Sequence, residues 1–173
     1  MCENNCCENC QCATKAEKGL VIIAWSGDLD RIWPTLILAT TAEASGVHCR
    51  VFVTCWGLLP FVRDGVRIAG DGVMQKMMTA MHRPGIDNMH MSQMDFAGMG
   101  PWMMGQLAKQ YGVASPRELL DMAQALGVEF VPCQMSMDMF GLKADQLIEG
   151  MGEPVGAATA IEFMTEASAT LFI

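Results

Sequence analysis

Residues 20–25 read Leu-Val-Ile-Ile-Ala-Trp, an apolar run bounded by Gly19 on one side and Ser26-Gly27-Asp28 on the other. A strand that shows one face to water alternates polar and apolar residues. This run does not, so it must be covered on both faces, the condition of a strand inside a parallel sheet. Parallel strands need a crossover between them, and the next segment supplies one. Ile32, Leu36, Ala39 and Ala42 recur at helical spacing up to Gly46. Asp28 or Asp30 stands where an N-cap belongs, and Pro34 falls in the first turn if Asp30 is that cap. A second apolar segment follows at residues 48–54. Strand, helix and strand joined by short turns make a right-handed crossover unit.

The same alternation returns after residue 115. Ser115-Pro-Arg-Glu118 is a capping box with proline at the first helical position. It opens a helix with Leu119, Met122, Ala123 and Leu126 on its apolar face, closed by Gly127. Residues 128–133 then read as a third strand ending in Cys133, and residues 134–140 as a short helix ending at Gly141. A further short helix at 144–149, a brief strand at 153–155, a helix at 156–168 and a last strand at 170–173 complete the pattern. The segment 65–100 is rich in Gly and Met and predicts a long excursion from the sheet, helical only over 73–81. The fold class expected is α/β: a single three-layer domain, residues 19–173, with a mostly parallel sheet of about five strands and helices on both faces. Residues 1–18 have no hydrophobic period and are expected to form a flexible, Cys-rich arm.

Composition narrows the function. The formal net charge is −8, which disfavours non-specific binding to nucleic acid or to an anionic membrane surface. No apolar run approaches the ~20 residues of a membrane-spanning helix, and no secretory leader is visible at the start, so a cytoplasmic protein is expected. Among 173 residues there are 8 Cys and 17 Met. Five cysteines crowd the arm, whereas Cys49, Cys55 and Cys133 are dispersed and read as thiols in a reducing compartment.

Open α/β sheets carry their working groups beyond the carboxyl ends of the strands. Three loops qualify: Ser26-Gly27-Asp28, Thr54-Cys55-Trp56-Gly57 and Cys133-Gln134-Met135-Ser136. No phosphate loop or dinucleotide fingerprint follows any strand; no nucleophile elbow occurs, and His48, His82 and His90 lack catalytic or metal spacing. Cys133 stands between a strand end and a helix start, where unpaired amides and the helix dipole favour a thiolate. The residues alone leave it either an activated thiol or an inert buried one. No resident cofactor is expected. Cys6, Cys7, Cys10 and Cys12 supply enough thiolates for zinc or a soft metal, without the two separated pairs of a zinc ribbon. His90-Met-Ser-Gln-Met94 suits copper(I), and a Met-rich loop accounts for it equally.

From Glu118 onward, Leu-Leu-Asp-Met-Ala, Gly-Val-Glu-Phe and above all Cys133-Gln-Met-Ser-Met-Asp-Met-Phe-Gly141 resemble the DsrE/DsrF-like sulfur-relay family. Ser26-Gly27-Asp28-Leu-Asp30 and Phe52-Val-Thr54-Cys55-Trp56-Gly57 fit the same pattern. The resemblance spans about residues 19–173. It implies a sulfur carrier or sulfurtransferase that holds sulfane sulfur as a persulfide on Cys133, exchanges it with donor and acceptor proteins, and assembles as an oligomer, here expected to be a homo-oligomer (a trimer or hexamer). Ser26, Asp28, Trp56, Gly57, Trp102, Met135 and Ser136 are the residues expected to line its pocket, walled by the segment 65–105. Relatives commonly carry an aromatic residue at the position of Cys55, which leaves Cys55 either a second thiol or core packing. The competing reading is a non-catalytic oligomeric scaffold or ligand-binding regulator of the same fold, motivated by the Met-rich middle segment.

Overall fold

The computed structural model describes residues 19–66, 84–93, 95 and 98–173. The Cys-rich arm and the helix expected over 73–81 lie outside them. β1 (Gly19–Ala24) is flanked on one side by β2 (His48–Val53) and on the other by β4 (Ala169–Phe172), and β3 (Glu129–Pro132) pairs with β2. The order is β3-β2-β1-β4 and every pairing is parallel. Chain order therefore reverses at β1, the arrangement that opens a crevice beyond the carboxyl ends of the strands.

Alternate residues of the buried strands serve two different layers. Ile22, Ala24, Val51, Val53 and Phe130 face α1 (Leu29–Ala44), where Ile32, Leu36 and Ala39 are buried, together with a second helix, Pro116–Leu126. Val21, Ile23, Phe52 and Val131 face the opposite way, toward Ala160, Phe163 and Met164 of a helix over Ala157–Glu166 and toward Ala167 just after it. The Arg50 guanidinium lies 3.9 Å above the Phe163 ring and reaches Glu129 at 2.6 Å, tying that helix to both strands.

Several local features differ from expectation for identifiable reasons. α1 starts at Leu29 with Asp28 at its N-cap, so Pro34 sits inside the helix rather than in its first turn. The Asp28 carboxylate makes no cap because it accepts the Ser26 hydroxyl at 2.7 Å, while Asp30 accepts the amide and hydroxyl of Ser92. A helix not expected from the sequence, α2 (Met99–Gln110), occupies the end of the Gly/Met-rich segment. Pro101 falls in its first turn, where a missing N–H costs nothing. In order, α3 (Pro116–Leu126) has the capping box complete and Gly127 in the left-handed conformation. Met122 and Leu126 stay exposed while Leu119, Leu120 and Ala123 are buried. α4 (Gln134–Phe140) and α5 (Ala157–Glu166) follow. The helix expected over 144–149 is a single 3₁₀ turn at Ala144–Gln146.

Among the described residues the sheet has four strands, against the five or so expected. The segment expected as a strand at 153–155 makes one isolated bridge, Cys133 with Val155, and another, Phe130 with Met151, precedes it. Pro154 has no N–H to donate, so a continuous ladder cannot form there.

Candidate functional site

The parallel register sets the site. Val53 pairs with Pro132, so the residues leaving β2 and β3, Thr54 and Cys133, emerge side by side. Backbone bonds lock them: Thr54 N–H donates to Ala24 O at 2.9 Å and Cys133 N–H to Val53 O at 2.9 Å. The chain then turns abruptly on each strand. After β3 it enters α4 with Cys133 as N-cap. After β2 it enters a 3₁₀ helix, Cys55–Phe61, through Cys55, whose φ of 48° is the one positive value at a non-glycine among the described residues.

Ser136, at the third position of α4, is 1% exposed and joins the two turns. Its hydroxyl oxygen accepts the Cys55 amide at 2.9 Å and lies 3.1 Å from the Thr54 hydroxyl. Either hydroxyl can be the donor between Thr54 and Ser136. Burial pushes the Cys133 thiol up, but the hydroxyls of Ser136 and Thr54 and the amides of Ser136 and Met135 outweigh it and hold the thiol below its usual value. These two amides belong to the second and third residues of the helix; they favour a negative charge on its N-cap, although the Cys133 side chain makes no capping hydrogen bond. Cys49 is the opposite case. It is fully buried with the Glu43 carboxylate nearby, and desolvation followed by that charge pushes its thiol up to about 12.

Replacing Ser136 with alanine therefore has two expected effects. It removes a donor to the thiolate, so the pH midpoint of Cys133 alkylation moves up. It also leaves the Cys55 amide without its partner, costing about 1–3 kcal/mol in denaturant unfolding. A midpoint unchanged from the parent would show that the hydroxyl does not touch the charge.

The remaining residues named from the sequence divide between places. Ser26, Asp28 and Trp56 line a cavity of about 290 Å³ with Trp25, Arg31 and His90. Cys133 is not part of that lining. Gly57 is buried against β1: a Cβ there would lie 2.2 Å from Ala24 O, so only glycine lets the two strand ends approach. Gly27 has the same role toward Trp56 O, at 2.5 Å. Met135 and Trp102 are exposed and line neither this cavity nor a second one of about 310 Å³ between α1 and α2. Cys133 itself is 3% exposed and packs with Val21, Ile23, Phe52, Val131 and Ala160, with Val155 and Phe163 against the same cluster. Its neighbours in the fold are thus α5 and the segment before it. Thr54 escaped the sequence reading as a site residue. The register alone brings it to Cys133, and the only signal was its position at a strand's carboxyl end.

His90 lies 3.3 Å from Asp95, and Met94 is outside the described residues, as are Cys6, Cys7, Cys10 and Cys12. Among the described residues no group of three His, Cys, Asp or Glu side chains is arranged to hold a metal ion, and no helix is long and apolar enough to cross a membrane.

The model of the DsrE/DsrF/DrsH-like family matches residues 16–172. The YrkE protein of Bacillus subtilis is 34% identical over 160 residues, covering 92% of this chain and 99% of its own. A sulfur carrier protein, DsrE2 of Allochromatium vinosum, is 34% identical over 158 residues, covering 91% and 99%. Two solved structures share the fold. The ychN protein of E. coli has a TM-score of 0.56 at 16% identity, and MTH1491 of Methanobacterium thermoautotrophicum 0.54 at 14%, each over 90% of this chain and 99% of its own.

Proposed function

Because the chain belongs to the DsrE/DsrF/DrsH-like family, we propose that it is a sulfur carrier that takes up sulfane sulfur as a persulfide on Cys133 and yields it to an acceptor protein, a sulfurtransferase activity. The observation that carries this reading is the place of Cys133: it is the N-cap of α4, beside Thr54 and the buried Ser136 at the paired ends of β2 and β3, where the surrounding hydroxyls and amides hold its thiol below the usual value. A thiolate is the nucleophile in sulfur exchange. A thiol kept only for packing gains nothing from such donors and fares as Cys49 does. The 34% identical relative that is a sulfur carrier supports the same assignment. The proposed setting is the cytoplasm, in keeping with three free thiols among the described residues.

The test is direct. After incubation with a sulfane-sulfur donor, peptide mapping of the parent finds one added sulfur, about 32 Da, on Cys133. If Cys133→Ser takes up sulfur on the domain to the same extent, Cys133 is not the carrier.

We further propose that the protein is a homo-oligomer. α2 buries only Gly100 and exposes Met99, Trp102, Met103, Met104 and Leu107. Apolar side chains crowded on one helix mark a partner surface. Sedimentation at micromolar concentration is expected to show an assembly, and a stable monomer would remove this part of the reading. The same helix face favours the competing reading, a non-catalytic scaffold. On that reading Cys133 alkylates no faster than a free cysteine near pH 6.

A further inference from the structure

Cys133 is nearly sealed, yet a carrier must exchange its sulfur with something outside. Cys55 stands beside it and is half-buried, next in sequence to Trp56 of the 290 Å³ cavity. The Thr54 hydroxyl lies 3.9 Å from the Cys55 sulfur and 3.1 Å from the Ser136 hydroxyl, and Thr54 leaves β2 beside Cys133. The two cysteines thus stand at one pair of turns, tied together by the bond from the Cys55 amide to the Ser136 hydroxyl. A persulfide on Cys133 extends that side chain by a bond of about 2 Å. Cys55 is also held in a left-handed conformation that side chains rarely adopt, stabilised by its amide bond to Ser136. Strain of this kind persists only where surrounding contacts impose it, and it gathers at working sites.

We infer that Cys55 is a second sulfur station, the port through which sulfane sulfur passes between the buried Cys133 and the acceptor. This rests on the carrier reading above. In the outward step the Cys55 thiolate attacks the outer sulfur of the Cys133 persulfide. Its electron pair makes the new S–S bond, and the pair of the old bond returns to the Cys133 sulfur as a thiolate. The Cys55 thiolate consumed and the Cys133 thiolate freed balance in charge, so the step needs no proton relay. The sulfane sulfur changes carrier and not oxidation state, so no oxidant or reductant is needed. The lowered pKa of Cys133 makes it a better leaving group than an ordinary thiol, since exchange quickens as the leaving thiol becomes more acidic. That directs attack to the outer sulfur rather than to a Cys55–Cys133 disulfide.

The full-length protein is loaded with inorganic polysulfide, desalted and challenged with dithiothreitol, while peptide mapping follows sulfur on each cysteine. In Cys55→Ser and Cys55→Ala the loading and unloading of Cys133 are expected to slow about tenfold or more, at an unchanged melting temperature. In Cys133→Ser a transient persulfide is expected at Cys55. Exchange at Cys133 as fast in both Cys55 variants as in the parent would overturn the port, and so would a Cys55 that never carries sulfur. A Cys55–Cys133 disulfide with release of hydrogen sulfide would overturn the transfer step. If the parent itself never holds sulfur on Cys133, the carrier reading fails instead, a result distinct from all of these.

Discussion

Cys133→Ser is expected to fold as the parent does and to retain no sulfur at the end of β3. Serine keeps the size of the side chain within one atom's difference. It is also a favoured N-cap residue, suited to the position Cys133 holds at the start of α4. Stability should therefore change by less than about 1 kcal/mol. The chemistry cannot survive the change, because a hydroxyl in this environment is neither ionised near neutral pH nor able to form an S–S bond. Sulfur stored at Cys133 and passed on to an acceptor thiol should be lost, leaving only the short-lived Cys55 persulfide, while the unfolding midpoint stays in place. A variant that unfolds would point to a structural thiol, and one that still transfers sulfur would move the site elsewhere.

Gly57→Ala is expected to have the largest effect on stability. Its Cβ would meet Ala24 O at 2.2 Å and Ala24 C at 2.8 Å, both backbone atoms. Ala24 has little room to retreat: its carbonyl accepts the Thr54 amide at 2.9 Å, and the next residue, Trp25, donates to Ile173 O at 3.1 Å. Forcing the strand ends apart should cost about 3 kcal/mol or more. At roughly 2–4 °C per kcal/mol for a chain of this size, the melting temperature should drop by about 10 °C. Gly46→Ala is the control. Gly46 has a φ of 74° but open space around it, so only the backbone penalty of roughly 1–2 kcal/mol applies. Equal effects of the two substitutions would show that the close approach of β1 and the β2 loop contributes little.

These predictions rest on features of unequal visibility in the sequence. The apolar run at β1 and the capping box of α3 are local signals, and both elements stand where their residues put them. Cys133 was visible for the same reason, since a strand end and a helix start are each short-range patterns. Its partners were not. Thr54 and Ser136 are 82 positions apart, and only the parallel pairing of β2 with β3 joins them. Helix α2 was hidden by Gly100, Pro101 and Gly105, which read as loop punctuation although Pro101 falls in a first turn. The missing fifth strand has the opposite cause: Glu153-Pro-Val155 looks extended and is extended, but proline denies it a ladder. The near-complete burial of Cys133 depends on α5 and Val155 folding back over the sheet. No spacing within the β3–α4 segment reports that.

The stability linkage of Cys133 has a defined sign. Its folded thiol ionises below the usual value. The thiolate's stabilising contribution is therefore complete above the unfolded pKa of about 8.5 and is lost as pH falls through the lower folded value. Ionisation itself is the central claim, and the pH profile of alkylation at single cysteines reads it. Iodoacetamide labelling, mapped by peptide across a pH series, should place the Cys133 midpoint below that of a free cysteine, with Cys49 unreactive throughout the neutral range. A Cys133 midpoint at or above the free-cysteine value would mean that burial outweighs the four donors, and the sulfur-carrier account would not stand.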